Sequence, residues 1–499
     1  MDASGVAGCY RDKTILITGS TGFLGKLLVE KILRVQPDVK RLYLLVRAPD
    51  AASAEHRILS EVLEKDLFNT LREKHGLAGF QSLVKEKIVP LAGDIGSRNS
   101  GLDGSKVDAL CGEINLIING AATTSFYERY DVALASNVVG TKYGCEFAKK
   151  CRNLKLLLHF STAFVSGTQE GLLLETPLHM GETLRKGYHL DIDAELQLVE
   201  KVKTKLAAAT SGNTDESEKT SLKELGFKSA THFGWPNVYA FTKAMGEMLL
   251  EQHMEDLPVV IIRPTMVTST YQDPFPGWIE GARTIDAMIA AYNTESFPCF
   301  IGDRNDIMDV VPADMVVNAT LVAMVVRWNK KARAIYHVSS SVRNPLTGLL
   351  IEDACWDYFS IYPRVLENGK TLQNRRPYLF KRFICFRAFF ILMYKHYGKA
   401  AKRLSLLFCG LFSQYYNKQN RRYIFLMLLV KLYTPFAFFK GRFDDTNLTS
   451  LRLEVKIDCE DDGNIFDFDP KSIDWHSYFL SVHVPAYRKR RCCYPRDIE

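Results

Sequence analysis

Short runs of β-branched and other apolar residues, separated by stretches with helical periodicity, recur along roughly the first two-thirds of the chain. Apolar strands that alternate with helices predict βαβ crossovers, which build a parallel sheet with helices on both faces. The sequence therefore predicts an α/β fold of the Rossmann type with a doubly wound parallel sheet. The predicted strands are Thr14–Thr18, Leu42–Arg47, Lys87–Leu91, Leu116–Ile118, Leu156–Phe160, Val259–Arg263 and Ala334–Val338.

A glycine-rich turn follows the first of these strands. The segment TGSTGFLG places Gly19, Gly22 and Gly25 three residues apart, and a helix is predicted directly after it, over Lys26–Arg34. Glycines allow a tight turn and a close approach of the backbone to a pyrophosphate, which the N-terminal amides of the helix attract. Strand, turn and helix together predict a dinucleotide site. Its predicted contacts in this turn are Gly19, Thr21, Gly22, Phe23, Leu24 and Gly25.

The end of the second strand indicates which dinucleotide is used. An NAD enzyme places Asp or Glu there to bind the ribose hydroxyls, whereas this strand ends in Arg47, which suits a 2′-phosphate. We therefore predict NADPH as the cofactor. Asp94, after the third strand, is placed to contact the adenine, and Asn119, after the fourth, to line the other half of the cofactor. The remaining predicted cofactor contacts are Ile95, Ala121, Asn137, Tyr239, Lys243 and Pro264.

A tyrosine and a lysine four residues apart, in YAFTK, form the candidate catalytic pair. A carbonyl reductase needs a proton donor beside the carbonyl that receives hydride, and a tyrosine can serve if a nearby cation lowers its pKa. Lys243 lies one helical turn after Tyr239, and Tyr239 is the one tyrosine among 22 with a lysine at this spacing. For a hydroxyl that polarises the carbonyl, Thr162 is the first candidate and Ser161 the second.

The composition changes after about residue 345. From 368 to 443 no acidic residue occurs, whereas 16 lysines and arginines interleave with aromatic runs such as FICFRAFFILMY and YIFLMLLVKLYTPFAFF. Basic helices with bulky aromatics are typical of segments that bind a membrane surface or an acyl chain; a basic-faced helical domain is the alternative. Lys431 interrupts the longest apolar run, so surface association is favoured over a spanning helix, which needs about 20 apolar residues.

These patterns predict two domains and their surroundings. An NADPH-binding and catalytic domain is predicted over 1–345, with an insertion at about 168–234, and a smaller, mainly helical, basic and aromatic-rich domain over 346–499. The 11 cysteines contain no CxxC pair, and no apolar run precedes the first strand, so reduced thiols and a cytosol-facing protein are expected. A net charge of +7 is modest for 499 residues and does not indicate nucleic acid. No metal site is predicted.

Several longer motifs resemble those of plant-type fatty acyl-CoA reductases, which are extended short-chain dehydrogenase/reductases with an additional C-terminal domain. The sequence departs from that family at Phe164, where tyrosine is usual, and at Ala291–Ser296, which replaces a more glycine-rich stretch. The motifs that carry the resemblance extend over nearly the whole chain and are TGSTGFLGK, NGAATTSFYERYDVAL, STAFVSG, YAFTKAMGE, RPTMVTSTYQDPFPGWIEG, DVVPADMVVNA and FDFDPKSIDWHSYF.

The resemblance implies an alcohol-forming enzyme that reduces long- or very-long-chain fatty acyl-CoA with two hydrides from NADPH, through a bound aldehyde. Tyr239 would protonate the oxyanion, Lys243 would hold Tyr239 and the nicotinamide ribose, and the hydroxyl of residue 162 or 161 would donate a hydrogen bond. The family also implies peripheral or monotopic attachment to the cytosolic face of the endoplasmic reticulum, with the cytoplasm as the alternative. The oligomeric state is left open.

Competing interpretations are other NADPH-dependent extended reductases and a protein without enzymatic activity. An aldehyde-forming acyl reductase, or a reductase of a sterol, flavonoid or sugar nucleotide, would keep both TGSTGFLG and YAFTK. The basic and aromatic block at 368–443 has no evident use in the sterol, flavonoid or sugar-nucleotide enzymes. A membrane-bound scaffold without turnover usually loses the tyrosine or the lysine, and this chain has both.

Overall fold

The architecture is given by a computed structural model, which describes most of the 499-residue chain. The described residues are 2–209, 215–253, 258–281, 285, 286, 289, 299–330, 333–364, 369, 371, 374, 376–392, 424, 427–455 and 465–493. The departure from the family at Ala291–Ser296 lies outside these residues.

Seven parallel strands form the central sheet, as the spacing of the apolar runs predicts. The strands lie side by side in the order β7-β6-β5-β4-β1-β2-β3. The order changes direction between β1 and β4, and a crevice opens at the carboxyl ends of strands at such a point. The strands are β1 (Thr14–Thr18), β2 (Arg41–Val46), β3 (Ile88–Ala92), β4 (Leu116–Asn119), β5 (Leu156–Phe160), β6 (Val259–Pro264) and β7 (Ala334–Val338).

Helices cover both faces of this sheet. Ile15 and Ile17 of β1 join one apolar cluster with the helix that follows the glycine turn, whereas Leu16 faces a second cluster on the opposite side. Alternate side chains of a strand point to opposite faces, so both faces of β1 are buried. This burial on two sides explains why the strand is apolar at three consecutive positions, and it confirms the predicted Rossmann-type fold.

Seventeen α-helices lie within the described parts of the chain. None of them is both long enough and apolar enough to cross a membrane. They are α1 (Ala3–Gly8), α2 (Phe23–Val35), α3 (Ala51–Ile58), α4 (Asn69–Lys87), α5 (Gly104–Glu113), α6 (Tyr130–Leu134), α7 (Gly140–Lys150), α8 (Ile192–Ala209), α9 (Asp215–Phe233), α10 (Val238–His253), α11 (Ala313–Val326), α12 (Gly348–Ile361), α13 (Phe383–Phe390), α14 (427–437), α15 (Thr446–Val455), α16 (Trp475–Tyr478) and α17 (Val484–Cys493).

Short strand pairs connect distant parts of the chain. The predicted insertion at about 168–234 contains a short strand, Gly171–Leu173, followed by α8 and α9. This strand pairs in parallel with Gly441–Phe443, which lies more than 260 residues later in the chain. The other pairs are Met266–Thr268 with Val310–Pro312, Cys299–Ile301 with Tyr378–Phe380, and Ile307–Met308 with Leu346–Thr347.

One apolar cluster contains residues from both sides of residue 345. Leu448 and Leu451 of α15 lie in the same cluster as Val316 of α11 and Ile262 of β6, and all four are fully buried. The end of the chain therefore packs directly on the layer of helices that covers the sheet. The division into domains at 345 stays a prediction, but the two predicted parts share this core.

Candidate active site

The glycine turn lies between β1 and α2, at the carboxyl edge of the sheet. Gly19 has φ of +76°, and a Cβ atom there would lie 2.6 Å from the backbone carbon of Gly120. A Cβ atom on Gly25 would lie 2.2 Å from the carbonyl oxygen of Gly19. Neither position accepts a side chain, so the turn packs tightly and α2 directs its first amides towards the edge of the sheet. This cradle fits the pyrophosphate of a dinucleotide.

A cavity of about 720 Å³ joins this turn to the predicted catalytic residues. It lies at the carboxyl ends of the central strands, where a Rossmann fold binds its ligands. The structure therefore brings both predicted halves of the site together. The predicted residues that line the cavity are Gly19, Gly22, Phe23, Leu24, Gly25, Ser161, Thr162, Tyr239, Lys243 and Pro264.

Seven predicted cofactor contacts lie outside the lining of this cavity. Arg47 is exposed at the end of β2, and Asp94 is exposed after β3, where its carboxylate accepts a hydrogen bond from the Gly96 amide at 2.9 Å. Both positions are beyond the carboxyl ends of their strands, where we predict the adenosine half of the cofactor. All seven stay predictions: Thr21, Arg47, Asp94, Ile95, Asn119, Ala121 and Asn137.

Asn137 does not line the cavity, but it holds in place a loop whose residues do. Its amide nitrogen donates to the carbonyl of Thr123 at 3.1 Å and to the hydroxyl of Thr242 at 2.9 Å. Its amide oxygen accepts a hydrogen bond from the Thr123 amide at 3.1 Å. Asn137 therefore fixes the loop after β4 to α10, and the adjoining residues 124–127 of that loop line the cavity.

Tyr239 and Lys243 lie in the first two turns of α10. The helix begins after Asn237, whose side-chain oxygen accepts a hydrogen bond from the Ala240 amide at 2.8 Å. Lys243 is 2% exposed, and this burial lowers the pKa of its amine to about 8, against the opposing effect of the Glu247 carboxylate. An amine with this pKa changes its charge close to physiological pH, as an acid–base group requires.

Ser161 and Thr162 follow β5 and line the same cavity. The amide of Ser161 donates to the carbonyl of Ile262 at 2.8 Å, which extends the pairing of β5 with β6. The Thr162 hydroxyl oxygen accepts a hydrogen bond from the amide of Phe164 at 3.3 Å, so its hydrogen is directed elsewhere. The Ser161 hydroxyl is buried and has no hydrogen-bond partner within the described chain. Either hydroxyl has a hydrogen to donate to a carbonyl oxygen.

Asn237 is a cavity residue that sequence reasoning missed. It is 1% exposed, and its amide nitrogen has no hydrogen-bond partner among the residues described. A buried donor without a partner costs about 1–3 kcal/mol, so this nitrogen suits an acceptor such as a carbonyl oxygen of a ligand. The available signal was an asparagine two residues before Tyr239, in the position that caps a helix.

An aromatic wall beside Tyr239 also lines the cavity. The ring of Phe126 lies 6.4 Å from Tyr239, 5.6 Å from Tyr433 and 5.4 Å from Phe436, between ring centroids. Phe164 stacks edge-on against Phe436 at 5.1 Å. Tyr433 and Phe436 belong to α14, in the basic and aromatic block. The phenyl ring at 164, where the family usually has tyrosine, therefore faces other rings and needs no polar partner.

The glycine turn, the Tyr–Lys pair and the hydroxyls at the edge of the sheet define an NAD(P)-binding reductase of the extended short-chain type. A family of NAD-binding domains described as male sterility protein matches residues 17–320, and a second family with that description matches 400–490. The chain belongs to the fatty acyl-CoA reductase family, as its motifs predict, and is therefore an oxidoreductase.

Sequence comparison gives this family over nearly the whole chain. The protein is 45% identical over 478 residues to probable fatty acyl-CoA reductase 4 of Arabidopsis thaliana, covering 95% of this chain and 96% of the relative. It is 43% identical to the alcohol-forming fatty acyl-CoA reductase of Simmondsia chinensis, again over 95% of this chain and 96% of the relative. The reductase domain of a non-ribosomal peptide synthetase from Mycobacterium tuberculosis has the same fold, with a TM-score of 0.57 and 17% identity over 99% of this chain and 96% of that domain.

Proposed function

We propose that the protein reduces long- or very-long-chain fatty acyl-CoA to the primary alcohol in two NADPH-dependent steps. One observation carries the proposal: Tyr239 and Lys243 lie in a single cavity whose other wall is aromatic. A thioester carbonyl at the polar end would extend its acyl chain towards Phe126, Tyr433 and Phe436. Apolar chains bind such walls because water is removed from both surfaces. The alcohol-forming activity of the Simmondsia chinensis relative supports the same product.

The side chains of the site stabilise the charge that develops on the carbonyl oxygen. The bound nicotinamide supplies the hydride. Tyr239 donates a proton or a hydrogen bond to the oxygen as it becomes negative, and a hydroxyl at residue 161 or 162 donates a further hydrogen bond. The cationic form of Lys243 favours the ionised phenol and so helps Tyr239 to release its proton.

Two rounds of this chemistry convert the thioester to the alcohol. In the first, the tetrahedral oxyanion collapses, the carbon–sulfur bond breaks, and CoA leaves as a thiolate. The aldehyde remains in the cavity, where the aromatic wall retains its chain. In the second, hydride addition gives an alkoxide, and Tyr239 protonates this oxygen. Two hydrides, which carry four electrons, add to the carbon, one proton adds to the oxygen of the alcohol, and the CoA thiolate acquires a second proton from solvent.

A product assay tests the reaction. The purified protein is incubated with NADPH and acyl-CoAs of increasing chain length, and the lipid products are separated by gas chromatography. We expect primary alcohol from a subset of long chains, with two NADPH consumed per acyl-CoA. Aldehyde as the sole product would assign the protein to the two-electron reductases. No consumption of any acyl-CoA, with NADPH still bound, would overturn the acyl substrate.

Replacing Arg47 by alanine tests the choice of NADPH over NADH. The guanidinium of Arg57, which is paired with Glu61 at 2.7 Å, donates to the backbone carbonyl of Arg47 at 2.5 Å, so a second basic side chain lies beside Arg47 at the end of β2. A 2′-phosphate favours such a position. We expect the KM for NADPH to rise about tenfold or more in Arg47→Ala, since a hydrogen bond to a charged group contributes about 1.5–3 kcal/mol, with the KM for NADH almost unchanged. Arg41→Ala, at the other end of the same strand, is the matched control. Equal effects on the two cofactors would contradict this role.

We infer further that the protein binds the anionic cytosolic surface of the endoplasmic reticulum through its 378–392 segment. Three large apolar side chains are unusually exposed there: Ile384 at 79%, Tyr378 at 65% and Leu392 at 59%. Arg382 and Arg387 are exposed beside them. Apolar side chains that project from a basic helix are typical of segments that insert shallowly between anionic headgroups.

Flotation with lipid vesicles tests this attachment. We expect the protein to float with vesicles that contain anionic phospholipid and much less with zwitterionic ones, because both the basic charge and the apolar side chains contribute. Ile384→Ser should lower the bound fraction several-fold, whereas Leu453→Ser, at an equally exposed leucine on α15, should not. Binding that is insensitive to lipid charge and to Ile384 would place the attachment elsewhere.

A further inference from the structure

Four buried side chains form a hydrogen-bonded row from the glycine turn to the catalytic lysine. The amine of Lys243 lies 3.1 Å from Nε2 of His159, and Nδ1 of His159 lies 3.1 Å from the amide nitrogen of Asn119. The amide oxygen of Asn119 lies 3.1 Å from the hydroxyl of Thr18. All four residues are at most 8% exposed. The row crosses β1, β4 and β5 and ends on α10.

The backbone fixes the direction of every hydrogen bond in this row. The amides of Gly120 and Ala121 both donate to the Thr18 hydroxyl oxygen, each at 3.1 Å. A hydroxyl has two lone pairs and one hydrogen. With both lone pairs occupied, the Thr18 hydroxyl donates its hydrogen to the amide oxygen of Asn119. The Asn119 NH₂ group therefore donates to Nδ1 of His159.

This direction determines the tautomer of His159. Burial, together with the charge of nearby Lys243, holds the pKa of His159 well below its usual range, so the imidazole is neutral at physiological pH. A neutral imidazole that accepts at Nδ1 carries its hydrogen on Nε2. The Nε2–H of His159 therefore points at the amine of Lys243.

We propose that His159 is a positioning residue that sets the protonation of Lys243, by donating its Nε2–H to the lone pair of the uncharged amine. An ammonium group has no lone pair, so a charged Lys243 loses this hydrogen bond and must find its acceptors on the side of the cavity that contains Tyr239. The enzymatic consequence of this proposal rests on the proposed function, whereas the tautomer of His159 does not.

The other charged and titratable groups described near Lys243 do not stabilise its uncharged amine, which leaves this role to His159. Glu247, one turn later on α10, favours the ammonium form, but its carboxylate is paired with Arg263 at 2.5 Å. Tyr239 lies one turn earlier on the same helix. Of the elements packed against this part of α10, the π-helix over Ala135–Val139 and the short 3-10 helix over Ala163–Ser166 contain no titratable side chain. Thr141 of α7 approaches α10 at Gly246 with an uncharged hydroxyl.

The alkaline side of the pH–rate profile reports this contact. Activity requires the ammonium form of Lys243, so turnover is expected to fall as the pH rises past about 8. His159→Asn retains an oxygen that can accept from Asn119 and removes the donor to Lys243, so the uncharged amine loses a hydrogen bond. The fall in turnover should then move upward by about 0.5–1 pH unit, the equivalent of one hydrogen bond.

A conservative variant separates this effect from a loss of packing. The glutamine side chain of His159→Gln reaches the position of Nε2 with an N–H, so its profile should remain near that of the parent. A fall that moves to lower pH in His159→Asn would show that the imidazole accepts from the ammonium group. An unchanged profile would show that the contact does not affect Lys243. Either result overturns the proposal.

The tautomer can be measured without catalysis. The intact protein is labelled with ¹⁵N-histidine, and the two-bond nitrogen–proton couplings identify which ring nitrogen is protonated. The signal of His159 is assigned by its absence in His159→Gln. We expect the Nε2–H form between pH 6 and about 8, where the imidazole is neutral. An Nδ1–H form would overturn the proposal, even if the protein reduces no acyl-CoA at all, so the two failures are distinguishable.

Discussion

Replacing Tyr239 by phenylalanine is expected to reduce turnover of acyl-CoA by about 10²–10⁴-fold. The substitution removes one oxygen from a ring that lines the cavity and leaves the ring itself, with its position 6.4 Å from Phe126. The oxyanion then has no phenol to protonate it, while the hydroxyls after β5 and the cradle for the pyrophosphate are retained. Initial rates with a preferred acyl-CoA and saturating NADPH, measured for the parent and the variant, give the ratio.

Two further measurements make this result specific to proton donation. The dissociation constant of NADPH, from fluorescence titration, should change by less than about threefold, because a phenol that touches the reacting carbonyl adds little to ground-state binding. Tyr188→Phe, at an exposed tyrosine in the insertion, should retain the rate of the parent. A rate within tenfold of the parent in Tyr239→Phe would show that another group supplies the proton.

Replacing Glu247 by glutamine is expected to lower the free energy of unfolding by about 3–5 kcal/mol. The carboxylate pairs with Arg263 through contacts of 2.5–3.2 Å, and both side chains are 1% exposed. Without it, the guanidinium of Arg263 remains buried in β6 beside a neutral histidine, His337, at 3.4 Å. A charge that has lost both water and its counter-ion is costly. Urea denaturation followed by tryptophan fluorescence compares the variant with the parent.

The same change on the surface is the control. Glu224 and Lys228 form an ion pair on α9 at 3.6 Å, with side chains 55% and 76% exposed. Glu224→Gln should cost less than about 0.5 kcal/mol, because water solvates both partners. The double variant Glu247→Leu/Arg263→Met should be more stable than Glu247→Gln, since an apolar pair leaves no charge unpaired. If Glu247→Gln and Glu224→Gln unfold at the same urea concentration, the buried pair does not stabilise the fold.

Local sequence patterns were sufficient to predict the strands of the central sheet and the candidate residues that lie at the ends of those strands. Each predicted strand is present within one or two residues, because a strand buried on both faces must be continuously apolar. Gly19 and Gly25 were predictable because a tight turn between a strand and a helix requires glycines. The structure gives the reason, since backbone atoms lie where their side chains would be. Tyr239 and Lys243 were predictable because a spacing of four residues places them on one face of a helix.

The contacts made by distant residues were not predictable from local patterns. The ring of Phe126 contacts the ring of Tyr433 although about 300 residues separate them, and no local periodicity predicts that contact. The partner of His159 was missed for the same reason, because a lone histidine in an apolar strand has no signal for a lysine on a helix 84 residues later. Asn237 was missed because an asparagine directly before a helix is readily explained as a helix cap. Its side-chain oxygen does cap α10, but its amide nitrogen has no hydrogen-bond partner among the described residues.

The aromatic wall has a consequence for how such enzymes diversify. The candidate cofactor and catalytic residues that line the cavity lie between residues 19 and 264, whereas Leu429, Leu432, Tyr433 and Phe436 of its lining lie on α14. Under the proposed function, reactivity and part of the contact with the acyl chain are encoded in separate stretches of the gene, although Phe126 and Phe164 of the wall come from the same stretch as the catalytic residues. Under the proposed function, substitutions on this one short helix are expected to change the acyl chain length that the cavity accepts, while the candidate catalytic residues stay the same.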